Sequence, residues 1–130
     1  AESFRKNLIG RFPFVQDYPT LFTSGLTGRN VQKLLDAVIR VGKNRRMRIS
    51  TSKLNKLLQS LVLEGYYSKT GKDLKVVYAT QHAVNPPTFT IFCNSSIKIT
   101  TSTKRHFEKL LRTEFDFEGS PIRILWRTRK

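Results

Sequence analysis

Acidic residues are scarce in this sequence. Nine Asp and Glu stand against 24 Lys and Arg in 130 residues, giving a formal net charge of +15 and a pI near 10.6. A positive field of that size attracts polyanions, nucleic acid first and an anionic membrane surface second. Cysteine occurs once, at Cys93, so a disulfide framework and a Cys/His zinc site are both excluded. Within "TFTIFCN" that thiol reads as a small core residue rather than a reactive one. There is no apolar run of about 18 residues, which excludes a spanning helix. The chain opens at Ala1 without Met, and no signal peptide is visible. What is present is enough for a core: 38% hydrophobic residues, nine Phe among them, at a length suited to one domain or one domain plus a further piece.

The positive charge is clustered. Between Asp36 and Glu64 lie Arg40, Lys43, Arg45, Arg46, Arg48, Lys53 and Lys56 with no acid between them. The chain then ends on Arg123, Arg127, Arg129 and Lys130. One such run reads as a solvated face; two, with a large net excess, point to nucleic acid.

Periodicity supplies the elements. "PTLFTS" (Pro19–Ser24) is short, apolar and bounded by proline and glycine, which predicts a buried strand. Asn30 is placed as an N-cap, and Val31, Leu34, Leu35, Val38 and Ile39 recur at helical spacing until Gly42 and a basic tail. This is a strand–loop–helix unit, expected to be the last piece of a larger α/β domain spanning 1–44. A second helix starts at Ser50–Ser52, carries Leu54, Leu57, Leu58, Leu61 and Val62 on one face and stops at Gly65. The β-type runs "LKVVYATQHAV" and "TFTIFCN" flank an Asn85–Pro87 turn and predict an antiparallel hairpin. A helix from about Thr103 to Phe115 follows, with Phe107, Leu110, Leu111 and Phe115 inward. After the turn "FEGSP", a last strand sends Ile122, Ile124 and Trp126 to one side and Arg123, Arg127 and Arg129 to the other. The order is α-β-β-α-β, an α+β domain over 45–130 with a three-stranded sheet covered on one face by two helices.

Several stretches imitate chemistry without completing it. "GYYSKTGKD" has five residues between its glycines and Asp73 after Lys72, whereas a phosphate-binding loop needs four and a Ser or Thr. His82 and His106 sit in no nucleophile or metal motif, and Glu114, Asp116 and Glu118 read as solubilising surface. "TSGLTGRN" (Thr23–Asn30) is ambiguous on its own. Its G-x-x-G is the form used by RNA-clamping KH loops, but its place after an apolar run and before a helix is that of a nucleotide-contacting loop.

The segments "RISTSKLNKLL", "LKVVYATQ", "NPPTFTIFCN", "KRHFEKLLRTEFDFEGSPIRI" and "RTRK" closely resemble the C-terminal domain of the Der (EngA) family. "YPTLFTSGLTGRNVQKLLDAVI" resembles the end of that family's second GTPase domain, and residues 1–12 its preceding helix. The family consists of tandem-GTPase ribosome assembly factors. The resemblance implies a KH-like domain docked between two GTPase domains, acting on the large ribosomal subunit and contacting ribosomal RNA. Ser24, Gly25 and Leu26 would match the loop that packs on guanine, where the family usually has alanine in place of Gly25. On that reading the G-x-x-G form is coincidental. The phosphate loop, the Walker B aspartate and the Asn-Lys-x-Asp motif are missing from this chain, which by itself should hydrolyse no GTP; GTP and Mg belong to the complete protein.

One departure bears on RNA. The segment "SSIKITTSTK" before the last helix has no glycine, so a G-x-x-G clamp is absent there. Contact is then expected from Lys43, Arg45, Arg46, Arg48, Lys53, Lys56, Lys104, Arg105, Arg123, Arg127, Arg129 and Lys130, mainly to phosphates because few aromatics are expected at exposed positions. The family's docked domains compete for the basic strand face, which puts the linker and the start of the last helix first. The alternatives are a nucleotide-hydrolysing enzyme completed by residues elsewhere, a structural ribosomal protein of an organelle that lost its GTPase domains, and, weakest, a membrane-surface protein. The expected location is on the ribosome, in a mitochondrial matrix or plastid slightly ahead of a bacterial cytoplasm.

Overall fold

The computed structural model describes residues 1–63, 76–93 and 101–128. Helix α1 (Glu2–Arg11) is followed by a 3-10 helix (Pro13–Asp17), an irregular stretch, and helix α2 (Val31–Arg45). Then come α3 (Thr51–Leu63), β1 (Val76–Ala83), β2 (Thr88–Cys93), α4 (Thr101–Glu114) and β3 (Arg123–Thr128). The α-β-β-α-β order is that read from the sequence. Gly65, Arg129 and Lys130 lie outside the described residues.

The sheet has the order β1-β2-β3. β1 and β2 form an antiparallel hairpin, with Ala79 opposite Ile91 and Gln81 opposite Phe89. β3 runs parallel to β2, placing Ile124 beside Phe89 and Trp126 beside Ile91. Parallel neighbours need a crossover, and α4 supplies it. Strand alternation then sends Ala79, Phe89, Ile91, Cys93, Ile124 and Trp126 to one face. There Leu54, Leu57 and Leu58 of α3 and Phe107 and Leu111 of α4 close the core. The Phe107 and Trp126 rings meet edge to face, 5.6 Å between centroids.

Side-chain amides seal the margins of this core. Asn55 of α3 accepts from Ala79 N–H at 3.0 Å and donates to Ala79 C=O at 3.1 Å, occupying β1's free edge. Gln81 accepts from Ile49 N–H at 2.7 Å and donates to Met47 C=O at 2.8 Å, which ties the α2–α3 linker along the hairpin.

Three local expectations change. Pro19–Ser24 forms no strand: a strand needs a hydrogen-bonding neighbour, and none lies beside it among the described residues. Asn30 adopts a left-handed conformation (φ 62°) and makes no side-chain cap; its amide donates to Phe22 C=O at 2.9 Å instead. α2 continues past Gly42 to Arg45. The apolar positions of its helical repeat are exposed from Val31 at 38% to Ile39 at 61%, and α2 buries only Ala37 and Asn44.

The loop after α4 joins α2 to the sheet domain. Asn44 Nδ2 donates to Glu118 C=O at 2.9 Å, and Gly119 N–H donates to Asp17 C=O at 2.8 Å. Gly119 has φ +80°, and a Cβ there would run into the Val41 side chain and Pro19. Only glycine fits both the backbone and the space. Arg112 closes the same loop from inside, donating to Ser120 C=O at 3.0 Å and pairing with Asp17 at 3.7 Å.

Candidate nucleic-acid interface

The described basic candidates are all exposed, but they do not form one patch. The linker group is the densest. Lys43 and Arg45 close α2 and Arg46 caps it. Asn85 N–H donates to Arg45 C=O at 2.8 Å, so the hairpin turn holds the linker backbone at Arg45, and the linker cations are all exposed. The same turn receives β3, since Arg123 N–H donates to Pro87 C=O at 3.0 Å. Arg45, Arg46, Arg48 and Arg123 therefore flank one end of the sheet.

Lys104 and Arg105 stand on α4 beside an open groove of about 360 Å³ lined by Ile122, Ile124 and Trp126, with Glu108 as its acid. α4 begins at Thr101, so neither residue opens the helix as expected; both lie beyond the residues that start the first turn. Lys53 and Lys56 line a separate groove of about 460 Å³ with Glu114 and Phe115. Among the described residues acid pairs instead with Arg40, 3.8 Å from Glu118, and with Arg112, 3.7 Å from both Asp17 and Glu108. Arg112, largely buried and donating to the Phe117 and Ser120 carbonyls, is a structural arginine, whereas the Arg40 pair stays at the surface. The sequence groups Arg40 with the free basic run and leaves Arg112 unremarked. Asp17 and Glu118 are far in sequence and give no signal, whereas Glu108 four residues before Arg112 is a helical i,i+4 pair that could have shown it.

The loop at Thr23–Asn30 is ordered by its own backbone. Gly28 N–H donates to Ser24 C=O at 2.9 Å, Ser24 N–H to Arg29 C=O at 3.1 Å, and Thr27 N–H to Ser24 Oγ at 3.2 Å. Gly28 takes φ +74°, and Leu26 stands at the apex 97% exposed. Gly25 has open space around it. The apex thus leaves the Leu26 side chain and the space around Gly25 open.

Among the decoys, "GYYSKTGKD" lies outside the described residues, and two of the others resolve simply. Cys93 is wholly buried, and desolvation pushes its thiol up to about 11, leaving it protonated and inert at neutral pH. His82 Nδ1 shares a hydrogen bond with Thr90 Oγ1 at 3.0 Å. No helix among the described residues is long and apolar enough to cross a membrane.

A sheet with two helices on one face, β3 inserted parallel to β2, and exposed cations at its end and edge define a KH-like module with a basic surface. The family described as "KH-domain-like of EngA bacterial GTPase enzymes, C-terminal" matches residues 48–127, and the chain belongs to it. Over 123 residues it is 41% identical to GTPase Der of Chlorobaculum parvum, covering 94% of this chain and 28% of that protein. It is 43% identical over 125 residues to GTPase Der of Desulfitobacterium hafniense, with 95% and 28% covered. For GTPase Der of Trichormus variabilis the figures are 33% over 129 residues, 98% and 28%. The chain thus spans a little over a quarter of the length of these relatives.

Proposed function

We propose that this chain is the RNA-contacting end of a Der-type GTPase acting in assembly of the large ribosomal subunit, with ribosomal RNA as its ligand. The observation that carries the proposal is the linker Lys43–Arg48: four exposed cations on a segment tied to the hairpin turn at Arg45, on a KH-like domain without a G-x-x-G loop before α4. Residues 45–130 form the RNA-binding domain. Residues 1–44 close a second GTPase domain, whose remainder would cover the apolar face of α2 and bring GTP and Mg. Within that complete domain, Ser24, Gly25 and Leu26 would lie against guanine. The other GTPase domains of the same protein are its further partners. Matching relatives that are GTPases favour this reading over a structural ribosomal protein. The place of action is the ribosome, in a mitochondrial matrix or plastid ahead of a bacterial cytoplasm because of the high charge.

Binding through phosphates makes affinity depend on salt more than on sequence. Neutralising roughly 4–6 phosphates gives a log–log salt slope of about −3 to −5. Filter binding to ribosomal RNA pieces across a salt series is expected to show that slope. Arg45→Ala/Arg46→Ala/Arg48→Ala should flatten it by about 2–3 and weaken binding similarly for all sequences. A slope near zero, or unchanged binding by the triple variant, would refute the assignment.

A further inference from the structure

The face of the sheet turned away from α3 and α4 carries a surface of its own. Alternation places Tyr78, Thr80 and His82 of β1, Thr88, Thr90 and Phe92 of β2, and Arg123, Leu125 and Arg127 of β3 on that side. In the register, Tyr78 pairs with Phe92 and Phe92 with Arg127, so two rings and a guanidinium stand in one row across the three strands. The Tyr78 and Phe92 rings are stacked, with centroids 6.4 Å apart and planes 25° from parallel. Tyr78 is 42% exposed and Leu125 41%, the two large apolar side chains left open in the sheet domain among the described residues. Thr90 sits low beneath them, its hydroxyl engaged by His82.

We infer that this face is a stacking platform for the bases of single-stranded RNA; the inference rests on the RNA reading above and adds a second, base-contacting surface to it. Every base has a π-face, and exposed rings on a sheet gain from stacking whatever the base is. A guanidinium beside the rings adds cation–π attraction and a phosphate contact. The nine side chains of the face include two arginines and a histidine and no carboxylate, so its charge suits a polyanion. A duplex keeps its bases stacked internally and could meet this broad face only through its backbone. This surface would add base contacts to the phosphate contacts expected from the sequence; its ring pair alternates with the core residues Ala79 and Ile91, and the rings adjoin only through the strand pairing.

The test compares a short single-stranded oligoribonucleotide with a duplex of the same sequence by fluorescence anisotropy. Tyr78→Leu/Phe92→Leu, which keeps apolar volume and removes the rings, should weaken single-strand binding roughly tenfold or more. Duplex binding should change less than about twofold, and Tyr78→Phe should bind as the unaltered chain does. The linker triple variant, by contrast, should weaken both ligands. If the Leu/Leu variant holds the single strand normally while the triple variant loses it, the platform is refuted and the linker assignment stands. The reverse result keeps the platform and removes the linker. NMR of the unaltered chain decides independently of variant folding: ring resonances of Tyr78 and Phe92 must shift on addition of the single strand. Rings that stay still with RNA, or respond instead to an added GTPase domain, would show a protein-docking face and overturn the inference.

Discussion

Helices α2 and α4 carry the same kind of apolar repeat, yet the structure treats them oppositely. α4 buries Phe107 and Leu111 completely, whereas α2 leaves Leu35, Val38 and Ile39 each more than half exposed. The contrast extends to the flanks. Among the described residues, 11 of the 13 exposed large hydrophobics lie between Phe4 and Ile39, and the continuous core begins only at Ile49. Apolar periodicity thus specifies a helix and the direction of its sticky side, but not what covers that side. Patches of this extent normally mark an interaction site, in keeping with the proposed missing body of a GTPase domain.

The sharpest way to break this contrast is paired truncation. Leu111→Ala in the full 130-residue chain should cost about 2–5 kcal/mol by denaturant titration. Ile39→Ala should cost less than about 1 kcal/mol, because little of its surface leaves water on folding. Equal costs would mean that α2 is covered in solution, and repeating the titration at lower protein concentration would identify self-association.

The joint between the two regions comes next. Gly119→Ala forces a Cβ into Val41 and Pro19 at φ +80°, so it should cost roughly 2–4 kcal/mol. Hydrogen exchange should report the loss at Asn44 and the loop rather than in the β1–β2 hairpin. Uniform loss would show that the joint and the sheet domain unfold as one unit.

The smallest effect belongs to Gly25→Ala. Its backbone needs no positive φ and its surroundings are open, so alanine should stabilise the chain by about 0.4–1 kcal/mol through the unfolded state. A measurable loss in the melting midpoint would mean that the loop is more constrained than its geometry indicates.

The sheet domain was largely legible because its signals are local and agree with one another. Alternation in β1 and β2, the Asn85–Pro87 turn and the helical repeats of α3 and α4 each specify their own element. The 1–48 region was less legible because its outcome depends on neighbours: Pro19–Ser24 has strand composition without a strand beside it. In the candidate interface, exposure of the basic residues followed from charge alone. Their division among a linker, a groove and a sheet face did not, since it depends on backbone contacts such as Asn85 to Arg45 and Arg123 to Pro87. Arg112 shows the same limit in its pairing with Asp17, which comes from a distant part of the chain, while Glu108 and Ser120 lie within eight residues of it.

The parallel pairing of β3 with β2 also dictates an order of events. The β1–β2 hairpin closes through near neighbours and can form on the order of microseconds. β3 must wait for α4 to be made and to cross the sheet, so its pairing with β2 closes a longer loop than the hairpin does and is expected to form after it. Until it does, Phe89 and Ile91 lack their partners Ile124 and Trp126, and the outer edge of β2 presents unpaired N–H and C=O groups. Docking of β3 therefore closes an edge that would otherwise be open to pairing with another chain.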